Sequence, residues 1–161
     1  MGLWKRLLEW TSRARGLENE KRTVRVISLL PPEVAVVGGI PRRAIAGTLG
    51  GNPGDLSAFT PEPDFVALIH EVVRDYTPQD SAAQEEARRM GSGWLYIVDQ
   101  RGSQSGARTA PKDIVGYFRV EEGRIQQASY TPHQGYVVFT ERGLTRLPGS
   151  LHGVLVARAA Q

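Results

Sequence analysis

The stretch from Thr60 to Tyr76 constrains this chain more than any other. Phe65, Leu68, Ile69, Val72, Val73 and Tyr76 recur at i, i+3, i+4, i+7, i+8 and i+11. That spacing lines one face of an α-helix. Such a face must be buried, so the fold has to be assembled around this helix. Thr60 is placed to cap it, and Pro61 and Pro63 fit a first turn that needs no amide donor. Glu62 and Asp64 suit the positive end of the helix dipole. A second helix is predicted directly behind the first. Thr77, Pro78 and Asp80 supply a cap, a first-turn proline and a capping-box acid. This helix should run to about Met90 and stop at Gly91. Its apolar face, Ala82, Ala83, Ala87 and Met90, is weak, which predicts partial exposure.

After Gly93 the period changes from helical to alternating. WLYIVDQ, residues 94–100, reads as a strand, and residues 101–111 as a long polar loop. Residues 113–130 read as a hairpin whose Glu121-Glu122-Gly123 tip suits a type I turn closed by a glycine bulge. Residues 136–147 repeat the device with Glu141-Arg142-Gly143. Upstream, residues 23–30 and 33–40 read as strands separated by Pro31-Pro32, while 40–49 is ambiguous. The tail after Leu151 fits an edge strand or a short helix. The sum is an α+β fold: an antiparallel meander of about five strands with two central helices on one face, plus an N-terminal amphipathic helix. The 161 residues suffice for one core. Residues 23–161 form that single domain, and residues 1–22 are a basic amphipathic helix and connector.

The opening, MGLWKRLLEWTSRAR, carries the main asymmetry of the chain. Residues 1–22 hold six basic and three acidic side chains, which accounts for the whole net charge of +3 and leaves a neutral body. On a helical wheel Leu3, Trp4, Leu7, Leu8 and Trp10 gather on one side, and Lys5, Arg6, Glu9 and Arg13 on the other. Glu9 and the Lys5-Arg6 pair break the apolar core that a secretory signal needs. Arg6 stands where myristoylation wants Ser or Thr. A helix lying on an anionic membrane surface and a helix docking in a partner's groove both fit. So does packing on the protein's own body.

Chemical signatures are sparse. There is no cysteine, which excludes a disulfide framework and thiolate chemistry. His70, His133 and His152 are far apart and lack ligand spacing, so no metal or cofactor is inferred. His70 falls off the apolar stripe of its helix and is expected to face solvent. GSQSG at 102–106 has Gln104 where a nucleophile elbow needs serine. GTLGGNPGD at 47–55 lacks the ending and the spacing of a phosphate cradle and reads as turn punctuation. Asp99, Asp113, Glu121 and Glu122 border the meander, where two could face each other across a cleft as a small hydrolase would require. Candidate nucleic-acid contacts are Arg42, Arg43, Arg88, Arg89, Arg101 and Arg108, with Trp94, Tyr96, Tyr117 and Phe118 as possible stacking surfaces. The 17 arginines against three lysines fit a GC-rich, bacterial-like composition.

These readings favour a non-catalytic adaptor with a cytoplasmic address, peripheral at most to a membrane. Leu3, Trp4, Leu7, Leu8 and Trp10 would supply buried area on a protein partner or an anionic membrane. Lys5, Arg6 and Arg13 would supply orientation. No small-molecule substrate is inferred. A single-strand nucleic-acid binder is the alternative and a small hydrolase the third.

Overall fold

The structure is a computed structural model that describes the backbone of residues 8–10 and, in full, residues 24–31, 39–52, 54–101 and 109–161. A first antiparallel sheet takes the order β1 (Leu8–Trp10), β2 (Val24–Ser28), β3 (Ile45–Leu49) and β4 (Phe59–Pro61). Helices α1 (Pro63–Tyr76) and α2 (Ser81–Met90) follow. A second antiparallel sheet has β5 (Gly93–Val98), β6 (Ile114–Glu121) and β7 (Arg124–Pro132) in that order. A two-residue pair, β8 (Phe139–Thr140) and β9 (Gly143–Leu144), precedes the C-terminal helix α3 (Leu151–Ala159). The chain is therefore α+β, but its strands divide among three sheets instead of forming one meander. The five strands expected after the two helices part between β7 and β8 into a three-stranded sheet and a separate pair.

Of the stretch expected to be an amphipathic helix, the backbone of Leu8–Trp10 is described. It runs antiparallel to β2, with Leu8 opposite Val26 and Trp10 opposite Val24. The other candidate docking residues, Leu3, Trp4, Lys5, Arg6, Leu7 and Arg13, lie outside the described residues. So does most of the strand expected at 33–40.

Helix α1 buries its periodic face: Phe65, Leu68, Ile69, Val72 and Val73 have no solvent exposure, and Tyr76 at its end is partly buried. That face meets β3 of the first sheet, β6 and β7 of the second, and α3. One amphipathic stripe thus serves both sheets. Its cap differs from expectation. Thr60 belongs to β4, opposite Thr48, and Glu62 takes the N-cap position with Pro63 at the first turn. The sheet claims Thr60 before the helix can, and the Glu62 amide donates to the Ala46 carbonyl at 2.9 Å.

Helix α2 is capped by Asp80, three residues beyond the expected Thr77, which lies in a preceding 3-10 turn; the Asp80 carboxylate accepts from the Ala83 amide at 3.0 Å. The same carboxylate accepts from the Ser150 hydroxyl at 2.6 Å, which ties the entry of α3 to the entry of α2. The tail is helical because Leu151, Leu155 and Ala159, four apart, all enter the core.

The β6–β7 turn corrects the expected type I turn with a bulge. Glu121 pairs with Arg124, leaving a two-residue loop. Both of its residues, Glu122 (φ 49°) and Gly123 (φ 69°), are left-handed. That is the type I′ pattern, whose twist matches the flanking strands.

The glycine-rich stretch at 47–55 begins inside β3, so its first glycine is no turn signal. A Cβ on Gly47 would collide with the Thr60 carbonyl oxygen and sit 2.6 Å from Cζ of Phe59. Gly47 lets β4 lie close enough to pair. Gly47→Ala should therefore destabilise the fold by roughly 1–3 kcal/mol through overpacking. Urea unfolding checks this: the midpoint should fall at unchanged slope, and an unchanged midpoint would contradict the packing described.

Candidate functional site

Alternation in the second sheet sorts its side chains onto two faces. Leu95, Ile97, Phe118 and Val120 point into the core. Trp94 and Tyr96 on β5 point out, 50% and 52% exposed. Tyr117 and Arg119 on β6 stand opposite them in register: Trp94 faces Arg119, and Tyr96 faces Tyr117. The result is a row of three rings. Trp94 meets Tyr117 edge-on, with centroids 5.5 Å apart and planes at 89°, and Tyr96 lies 5.6 Å from the same Tyr117 ring. Edge-to-face pairs of this kind hold each other's orientation. Phe118, grouped with these rings in the sequence reading, is fully buried on the opposite face. Arg119 beside the row is neutralised by Glu121 at 2.9 Å.

What fixes this sheet is a buried charge cluster. The Arg101 guanidinium, 2% exposed, lies between Asp99 and Asp113. Its Nε and Nη2 donate to Asp113 Oδ1 at 3.3 and 3.2 Å. Its Nη1 donates to the Val138 carbonyl at 2.8 Å, and Nη2 also donates to the Lys112 carbonyl at 3.0 Å. Asp99 Oδ1 accepts the Arg101 amide at 2.9 Å. Asp99 Oδ2 accepts the Tyr136 hydroxyl at 2.8 Å, the Thr145 hydroxyl at 3.1 Å and the Arg146 amide at 3.1 Å. Arg142 Nη1 stands 3.8 Å from Asp113 Oδ2 and adds a second positive charge. Burial first, and then the Asp99 charge, pushes the Tyr136 phenol well above its ordinary range, so it remains a donor. Asp99 and Asp113 do converge, but on an arginine inside the protein, and both carboxylates are buried. General acid–base work needs a carboxylate within reach of substrate.

A groove of about 460 Å³ opens between the Leu56–Phe59 stretch, α1 and residues 132–139. Phe59, Val66 and Phe139 line it together with His70 and His133, and no carboxylate does. His70 does not face solvent as expected. It is half-buried, with Nδ1 2.7 Å from the Tyr130 hydroxyl. Burial lowers the pKa of His70, and burial followed by the Arg146 charge lowers that of His152. Among the described residues no group of three His, Asp or Glu side chains could hold a metal ion.

The arginines singled out from the sequence are dispersed. Arg42 pairs with Asp64 at 3.2 Å and Arg43 with Glu71 at 3.3 Å. Arg89 pairs with Glu86, its Nε donating at 2.9 Å. Arg101 is internal, Arg88 is exposed near the β6–β7 turn, and Arg108 lies outside the described residues. No helix among the described residues is long and apolar enough to cross a membrane.

Two predictions follow from the buried groups. Arg101→Leu would strand two carboxylates in the interior and should cost about 3–5 kcal/mol of stability, read from chemical unfolding. A loss below about 1 kcal/mol would show that the cluster holds nothing together. The second concerns pH. A histidine with a depressed folded pKa contributes stability that is present above its unfolded pKa and is lost as pH falls, because the unfolded chain then binds more protons. Stability should decline as pH drops below about 6.5, and His70→Gln should flatten that decline.

No protein-family model, no curated protein and no solved structure matches this chain.

Proposed function

We propose that this chain is a non-catalytic binding module that engages a protein partner through the Trp94, Tyr96 and Tyr117 row. The observation that carries this reading is the half exposure of two large rings, side by side, on a strand whose inward Leu95 and Ile97 are buried in the core. Large aromatics are the residues that most often dominate binding energy at protein interfaces. Here their orientation is set before binding, which reduces the entropy lost on association. The opening stretch carries similar chemistry. Leu3, Trp4, Leu7, Leu8 and Trp10 would add apolar anchors, while Lys5, Arg6 and Arg13 would raise the on-rate toward an acidic partner or an anionic membrane.

A single strand of nucleic acid would also stack on such rings. The charge distribution argues against it. Phosphate binding wants cations gathered beside the rings, yet Arg119 is neutralised by Glu121, and Arg42, Arg43 and Arg89 hold carboxylates elsewhere.

The test is quantitative. The full chain, carrying a photo-cross-linker at Arg119, is used in its native cells to identify the protein it contacts, and binding is then measured with purified components. Trp94→Ala/Tyr96→Ala should weaken that binding at least about thirtyfold while the far-ultraviolet circular dichroism stays unchanged. Equal affinity of the double variant would overturn the reading. So would salt-sensitive binding of mixed-sequence single-stranded oligonucleotide that the double variant loses.

A further inference from the structure

The groove beside α1 is separate from the aromatic row: neither Trp94, Tyr96 nor Tyr117 lines it. Among the described residues its wall carries no carboxylate and no cation. Phe59 and Phe139, with ring centroids 5.2 Å apart, make it apolar together with Val66. Of its polar side chains, Tyr136 gives its hydroxyl to Asp99, and Nδ1 of His133 is sealed from solvent without a partner.

His70 differs, because a break in the β6–β7 ladder sets it. Tyr117 pairs with Thr131 and Arg119 with Gln126, so residues 127–130 of β7 stand against Phe118 alone. A bulge of this kind re-aims a side chain. Here the Ser129 hydroxyl oxygen accepts the Arg119 amide at 2.7 Å. The Tyr130 ring lies over Gly116, where a Cβ would come within 2.7 Å of the hydroxyl. That hydroxyl meets Nδ1 of His70 at 2.7 Å. Burial pushes the phenol pKa up and the imidazole pKa down, so the one keeps its proton and the other is neutral. Nδ1 is the hydroxyl's one hydrogen-bond partner among the described residues, so Tyr130 donates and Nδ1 accepts. The proton of His70 is therefore on Nε2. That atom has no hydrogen-bond partner among the described residues and is not sealed from solvent, on a ring that lines the groove.

We infer that this groove binds an uncharged small molecule with an aromatic or branched apolar body and one carbonyl oxygen, which accepts from Nε2 of His70. The volume of about 460 Å³ is that of a small-molecule site, and such sites combine apolar walls with a few fixed polar groups. A carboxylate in place of the carbonyl would lose its hydration with no cation in the wall to compensate.

Benzophenone and diphenylmethane, one skeleton with and without the carbonyl, are the probes. Titration of the full chain, with proton–nitrogen correlation spectra of its histidine rings, reads affinity and tautomer together. In the free chain neutral His70 should carry its proton on Nε2. Benzophenone should bind about five- to tenfold more tightly than diphenylmethane, the effect of one net hydrogen bond. His70→Phe should erase that preference while still binding both probes. Tyr130→Phe, which keeps His70, should let the proton exchange between the two ring nitrogens and reduce the preference. Circular dichroism checks that each variant folds. Equal affinity of the two probes, no binding of benzophenone up to its solubility limit, or an Nδ1–H tautomer in the free chain overturns the inference. So does a preference that survives His70→Phe. A preference lost in Trp94→Ala/Tyr96→Ala would put the probe on the aromatic row and overturn it equally.

Discussion

The planar head of Arg101 makes four hydrogen bonds to three oxygens, all from segments distant in sequence. Asp113 and the Lys112 carbonyl lie at the start of β6, and the Val138 carbonyl precedes the β8–β9 pair. Asp99, at the end of β5, gathers the Tyr136 and Thr145 hydroxyls and the Arg146 amide. One ionic cluster therefore locks the end of β5 to the start of β6 and to the whole returning segment before α3. A planar guanidinium can address several acceptors at once in a way an ammonium cannot. Buried ion pairs contribute little net stability over an apolar replacement, but they are costly to break. Their effect here is on arrangement: two strand ends and a loop can meet in one way.

That arrangement is what gives the aromatic row its definition. Among the described strands β5 lies at the edge of its sheet. The cluster clamps one of its ends, and α2 leads directly into the other through Gly91, whose φ of 76° ends the helix. Between those fixed points the inward Leu95 and Ile97 are held by the core. The outward Trp94 and Tyr96 must then stand beside Tyr117. Exposed aromatics on a mobile loop would lose much of their binding energy to ordering, whereas these are already placed.

Much of this architecture was legible in the residues. The α1 stripe and the α2 stop at Gly91 follow from periodicity and local chemistry, which act within a few residues. Period-two alternation along β5 sets Trp94 and Tyr96 on the face opposite Leu95 and Ile97. What was not legible depends on contacts far apart in the chain. Thr60 carries a good capping side chain, yet strand pairing with Thr48 takes it first. Gly47 looks like loop composition and is a point of close approach. Asp99 and Asp113 stand out as a possible catalytic pair, and only the fold reveals that Arg101, counted among surface cations, lies between them. Phe118 is one position from Tyr117 and belongs to the opposite face. His70 is off the helical stripe and still half-buried, because Tyr130 reaches it from β7.

The central claim is that the isolated chain presents Trp94 to solvent on a rigid sheet. Acrylamide quenching of tryptophan fluorescence in a Trp4→Phe/Trp10→Phe chain isolates that single indole. The account predicts red-shifted emission and quenching well above that of a buried indole, both giving way to a shielded signal when the partner binds. A blue-shifted Trp94 that resists quencher in the unbound chain would contradict it.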